Sequence, residues 1–176
     1  MKISNLFKGA VLFLTLFTAQ NFLAQTETKM VGGAEMYPTK NIVENAVNSK
    51  DYTTLVAAVK AADLVETLSS DGPFTVFVPT NATLVMPENK AKLQAILTYH
   101  VISGKFNAKD IMALIKKGDG KAEIKTVNGG ILTAWMKGKD LYIIDANGTK
   151  PKVTIADVNQ SNGVIHVIDT VVLPKS

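Results

Sequence analysis

His100 and His166 are the only imidazoles in the chain. Imidazole moves protons near neutral pH, so with Asp157, Asp169 or Ser161 these two could in principle make an acid–base pair or a Ser-His-Asp hydrolase. Their surroundings argue against it. The sequence holds no Gly-x-Ser-x-Gly elbow to present a serine on a strained turn, and both rings fall in apolar, periodic runs where a hydrogen-bonded core histidine is expected. Metal chemistry is no better served, because the chain lacks cysteine, His-x-x-x-His spacing and an Asp-rich calcium loop. No catalytic residue, metal or cofactor is expected.

Composition narrows the partner classes. The formal charge is +4, with 19 basic residues against 15 acidic ones, and every basic residue is a lysine. Without arginine there is no planar fork to grip phosphate or read guanine, and the lysines are scattered instead of striped, which excludes nucleic acid as an expected partner. Residues 1–24 differ from the rest: Lys2 and Lys8 flank the start, an apolar run follows from Ala10 to Thr18, and Ala19 and Ala24 are small. This is the pattern of a secretory signal peptide, too short for a bilayer span, so the mature chain is expected to be secreted, periplasmic or cell-surface, without a membrane span. Residues 25–36 are polar and aperiodic and read as a flexible linker, leaving residues 37–176 as the folded domain.

The candidate residues depend on a run of helices followed by a run of strands. Thr39 can cap a short helix through Asn48, and Asp51 a second one carrying Leu55, Val56 and Val59. Phe74 to Val78 alternates as a strand stopped by Pro79, with Thr80 and Asn81 placed to fix the chain's exit from the sheet. From Glu88 to Tyr99 helical spacing returns and turns His100 inward with Leu93, Ile96 and Leu97. Asn107 begins another helix, with Asp110 at its third position and Ile111, Leu114 and Ile115 as its apolar stripe. Five strands follow, with glycine-bearing turns between them. The last pair is expected to turn at Asn162-Gly163, both with positive φ, and to run from Val164 to Leu173 with no wet side, which puts His166 and Asp169 on opposite buried faces. The fold class is α+β.

Three segments in fixed order resemble the fasciclin (FAS1) domain family: Thr75-Val76-Phe77-Val78-Pro79-Thr80-Asn81, Leu97-Thr98-Tyr99-His100-Val101, and Ser161 to Asp169 with its Asn162-Gly163-Val164-Ile165-His166 core. The resemblance covers about Tyr37 to Pro174. It implies a twisted β-wedge or sandwich of antiparallel hairpins with several helices packed around it. It also implies a non-enzymatic role in adhesion or matrix contact with a cell-surface or matrix protein or polysaccharide. Thr80, Asn81, Tyr99, His100, Asn162, Gly163, His166 and Asp169 would be its structural motif. Two departures stand out: Ala82 to Met86 is shorter than the family's connection at that point, and Leu84 stands where the family tends to place phenylalanine.

The Tyr99-His100 pair and Lys109-Asp110-Ile111-Met112 resemble short motifs linked with integrin recognition in animal relatives. Asp110 caps a helix and Ile111 lies on its buried stripe, so only Lys109, Asp110 and the edge of Tyr99 would be displayed as an adhesion patch. A second reading is a carrier of a small apolar ligand or lipid held between wedge and helices, walled by Phe74, Phe77, Leu84, Met86, Met112 and Trp135.

Overall fold

In the computed structural model residues 27–80 and 87–175 are described. The expected signal peptide, together with Asn81, Leu84 and Met86, lies outside them.

Strand periodicity and burial coincide most closely at β9 (Gly163–Ile168), in which every residue is buried. Such a strand needs a covered sheet on both faces, and it has one. It sits inside a four-stranded sheet ordered β4 (Val101–Ser103), β3 (Phe74–Pro79), β9, β8 (Val153–Gln160). Side chains alternate across it. Val76 and Val78 of β3 join Ile165 and Val167 of β9 in one apolar cluster, while Phe77 and Ile168 join another on the opposite face.

The first cluster is roofed by the helices α1 (Ile42–Ala46), α2 (Thr53–Ala61), α3 (Val65–Ser69) and α4 (Lys90–Tyr99). The second lies under α5 (Ala108–Lys117) and an antiparallel three-stranded sheet of β5 (Lys121–Lys125), β6 (Ile131–Lys137) and β7 (Asp140–Ile144). The fold class is α+β, as read from the sequence. One pairing departs from a structure built of antiparallel hairpins: β3 runs parallel to β9, with Phe77 opposite His166. Such a pairing joins strands distant in sequence, and local periodicity carries no sign of it.

Local signals account for the helix ends. Asn41, not Thr39, caps α1: its Oδ1 accepts from the Glu44 N–H at 2.9 Å and Glu44 Oε2 accepts from the Asn41 N–H at 2.8 Å, a reciprocal box. Asp51 sits within a short 3₁₀ turn, Lys50–Tyr52, that leads into α2.

Three further expectations are corrected. The supposed linker is folded from Lys29: β1 (Lys29–Val31) and β2 (Ala34–Met36) form a hairpin whose Val31 and Met36 are buried in the first cluster. Gly32 and Gly33, with φ of 59° and 75°, are its two-residue turn, the left-handed pair that matches strand twist. Three-residue strands are too short to show a period.

The turn between β8 and β9 is centred on Ser161 and Asn162, since Gln160 pairs with Gly163. Neither Asn162 nor Gly163 has positive φ. Gly163 is needed for another reason: a Cβ there would lie 2.2 Å from the Phe74 carbonyl oxygen.

Finally, β9 ends at Ile168, not Leu173. Asp169 is exposed beyond it and closes on Lys152, its N–H donating to the Lys152 carbonyl at 3.1 Å and its Oδ1 accepting from the Lys152 N–H at 3.0 Å. The chain then crosses to bury Val172 in the second cluster.

The close approach of β9 to β3 generates a prediction. Gly163→Ala forces the two central strands apart and is expected to lower unfolding free energy by about 3 kcal/mol in a urea titration. Stability equal to the parent's would contradict that packing.

Candidate functional site

β9 carries His166 into the second cluster, where its ring is fully buried and stacks on Phe77 with centroids 5.5 Å apart. Both nitrogens are engaged by backbone. Nε2 lies 2.8 Å from the Phe106 carbonyl oxygen, and Nδ1 accepts from the Asp157 N–H at 3.3 Å. A carbonyl can only accept and an N–H can only donate, so the ring is neutral with its proton on Nε2.

Asp157 itself sits at an irregularity of β8, with φ of 58°. Its Oδ1 accepts from the Ala108 N–H at 2.7 Å, satisfying a free donor in the first turn of α5. One imidazole and one carboxylate thus tie β9, β8, the loop before α5 and α5 itself together.

α4 ends on the second imidazole. His100 Nδ1 lies 2.8 Å from the Ile96 carbonyl oxygen one turn back, and Nε2 accepts from the Val172 N–H at 3.3 Å. The opposite tautomer results, with the proton on Nδ1.

Tyr99 beside it is fully buried, so it cannot contribute to a displayed adhesion patch. Its hydroxyl donates to the Ile131 carbonyl at 2.7 Å and accepts from the Ala146 N–H at 3.0 Å, joining the start of β6 to the segment after β7. Asp145, buried and not singled out by sequence, accepts from the Asn147 and Thr149 N–H groups at 2.9 and 2.8 Å and from the Leu173 N–H at 3.0 Å.

Asn162 has a similar task on the other face. Its Oδ1 accepts from the Ile42 N–H at 3.0 Å, and its Nδ2 donates to the Leu68 and Ser70 carbonyls at 2.9 and 2.8 Å. The turn before β9 is therefore fastened to α1 and to the end of α3. Asn45 and Gln160, also missed by sequence, bond one another in the core, and Asn45 Nδ2 and Oδ1 further pair with the Tyr37 carbonyl and N–H at 2.8 and 2.9 Å. A polar residue in a helical run gives no sign of such distant partners.

Of the other predicted residues, Thr80 is half-buried just past β3, whereas Lys109 and Asp110 are exposed on α5. Asp110 Oδ2 accepts from the Asn107 N–H at 3.0 Å.

The catalytic constellations do not form. With both ring nitrogens of each histidine held by backbone, neither imidazole can take a proton from a hydroxyl. Ser161 lies exposed at the turn. Among the described residues no group of three or more His, Asp or Glu is placed to hold a metal ion.

A cavity of about 50 Å³ opens between α1, α2, α3 and β3, and its wall is almost wholly apolar. Phe77 belongs to that lining. Phe74, Met112 and Trp135, expected as carrier walls, do not: Met112 is exposed on α5, and Trp135 packs at a tilt of 45° against Tyr142 in the three-stranded sheet, with centroids 5.7 Å apart.

The family model described as Fasciclin domain matches residues 50–174. The chain belongs to the fasciclin family. This fasciclin domain is 42% identical over 167 residues to Protein sll1483 of Synechocystis, covering 86% of either chain. It is 30% identical over 149 residues to human periostin, covering 77% of this chain and 16% of that much longer protein. In fold it resembles a FAS1 domain pair from the insect cell adhesion molecule Fasciclin I, with a TM-score of 0.63, 22% identity, and coverage of 78% of this chain and 52% of that one.

Burial holds both imidazoles below the ordinary histidine range of 6.5, His100 at about 4, the nearby backbone carbonyls only partly offsetting it. The folded state keeps them neutral while the unfolded chain takes up protons below pH 6.5. Their contribution is therefore complete above pH 6.5 and is lost as pH falls, through about 4 for His100. Between pH 6.5 and about 4 the slope from His100 should be about 1.4 kcal/mol per pH unit. Urea unfolding of His100→Asn is expected to show a loss of about 1–3 kcal/mol at pH 7.5 and a shallower decline between pH 6.5 and 5 than the parent. Parallel pH profiles would contradict a buried neutral His100.

Proposed function

We propose that this fasciclin domain is a non-enzymatic module, secreted or cell-surface, that mediates adhesion to a cell-surface or matrix protein or polysaccharide. The observation that carries the reading is the commitment of both imidazoles to backbone partners, which leaves a rigid frame with its displayed surface free for recognition. Membership of the fasciclin family supports it, as does the naming of one structural relative as a cell adhesion molecule. Among the described residues no helix is long and apolar enough to cross a membrane.

The surface proposed for contact is the outer face of α5. Lys109, Asp110, Met112 and Leu114 are exposed there, while Ile111 and Ile115 anchor the helix in the second cluster. Cation, carboxylate and thioether lie side by side on one rigid element, a mixture suited to weak and specific contact. Tyr99 has no part in it.

The double variant Lys109→Glu/Met112→Asp tests this reading. It is expected to melt within a few degrees of the parent, because both side chains face solvent, and to lose most of the parent's retention on envelope or matrix fractions of its own source. Unchanged retention would remove α5 from the reading. A hydrolytic activity abolished by His166→Asn would overturn the non-enzymatic assignment.

A further inference from the structure

Strand register lines up one row of side chains across the three-stranded sheet. Lys121 of β5 stands opposite Trp135 of β6, Trp135 stands opposite Tyr142 of β7, and Tyr142 is bridged to Lys152 just before β8. Alternation settles which way the two rings point. Ala134 and Met136 on either side of Trp135, and Leu141 and Ile143 on either side of Tyr142, pack in the second cluster. Trp135 and Tyr142 belong to neither cluster and are only half-buried, so they face outward. With centroids 5.7 Å apart and a tilt of 45°, they give the outer face of the sheet a shallow aromatic floor.

Folding also gathers cations there that lie far apart in the sequence. Lys150 is exposed with its Nζ 6.0 Å from the Trp135 ring centroid, the outer limit of cation–π attraction, so its ammonium gives up little in turning to an anion. Nearby carboxylates offset only part of this charge. Asp140 pairs with Lys152 at 2.9 Å, Asp169 lies close to the same lysine, and Glu123 stands one row away, opposite Thr133. Lys121 and Lys150, which flank Trp135, make no ion pair among the described residues.

We propose that the outer face of β5, β6 and β7 binds an acidic polysaccharide, a sugar ring stacking on Trp135 and Tyr142 while carboxylates of the chain pair with Lys121 and Lys150. A pyranose ring has a flat face of C–H bonds for an aromatic ring to cover and a rim of hydroxyls that stay in water, which suits a half-exposed floor. A uronic acid adds a carboxylate at that rim, complementary to the two ammonium groups. An acidic peptide carries its carboxylates on flexible stems without a rigid apolar face, and ordering those stems costs entropy. From Lys121 to Lys152 the row crosses three strand spacings, about 14 Å, the length of a short oligosaccharide. The face shares no residue with the α5 surface and stands or falls separately from it.

Trp135 is the chain's one tryptophan, so its fluorescence reads this face directly. Alginate hexasaccharide, maltohexaose and hexaglutamate, titrated into the purified protein, separate the partner classes. The acidic sugar is expected to change the emission saturably, to bind at least about ten-fold more tightly than the neutral sugar or the acidic peptide, and to weaken as salt is raised. Lys121→Gln/Lys150→Gln keeps both rings and should melt within a few degrees of the parent, because both side chains face solvent. It should bind the acidic sugar about ten-fold more weakly. Hexaglutamate binding as tightly as alginate would point to an acidic protein instead, and maltohexaose doing so would remove the lysines from the site; either result overturns the proposal. So would an emission unchanged by alginate, or a double variant that binds it like the parent.

Discussion

A strand buried on both faces leaves its neighbours with a problem that no ladder solves. β9 lies between two apolar clusters, so the turns, helix ends and crossing segments that close over it carry N–H and C=O groups away from water and outside any sheet. Each such group left unpaired costs on the order of 1–3 kcal/mol. In this fasciclin domain a small set of polar side chains meets the need. Asn162, His166, His100 and Tyr99 each bond backbone groups from two or more separate segments. The partners lie far apart in sequence: Asn162 reaches Ile42, 120 residues away, and His100 reaches Val172, 72 residues away.

Histidine and asparagine suit this work for one chemical reason. A neutral imidazole offers one donor and one acceptor on opposite sides of a rigid ring, and a carboxamide offers both at one end, so either can join a carbonyl on one segment to an N–H on another. Charge would spoil the arrangement, because a protonated imidazole has two donors and would turn one of them against a backbone N–H. The residues with the greatest chemical potential are thereby consumed by architecture. This is also why the proposed function falls elsewhere, on the outer face of α5.

Much of the frame was legible in the sequence, and the limits have physical causes. The β-branched run of β9, the alternation of β3 and the Asn107–Asp110 start of α5 are local signals, readable without knowing what they pack against. The apolar setting of both imidazoles was equally local. The β1–β2 hairpin escaped because three-residue strands show no period, although Gly32-Gly33 marked its turn. Asn162-Gly163 misled for the complementary reason: the pair resembles a left-handed turn, but Asn162 points its amide into the core and Gly163 makes room for Phe74. Asn45 and Asp145 could not be found at all, since their significance lies in groups brought near only by folding.

The central claim, that both imidazoles are neutral struts locked by backbone, is tested most directly by ¹⁵N NMR of the ring nitrogens. At pH 7.5 the account predicts two neutral rings of opposite tautomer, His100 with its proton on Nδ1 and His166 with its proton on Nε2, both exchanging slowly with solvent, and at pH 5.5 it predicts that His100 is still neutral. A protonated ring or a rapidly exchanging mixture of tautomers at either position at pH 7.5, or a protonated His100 at pH 5.5, would contradict it.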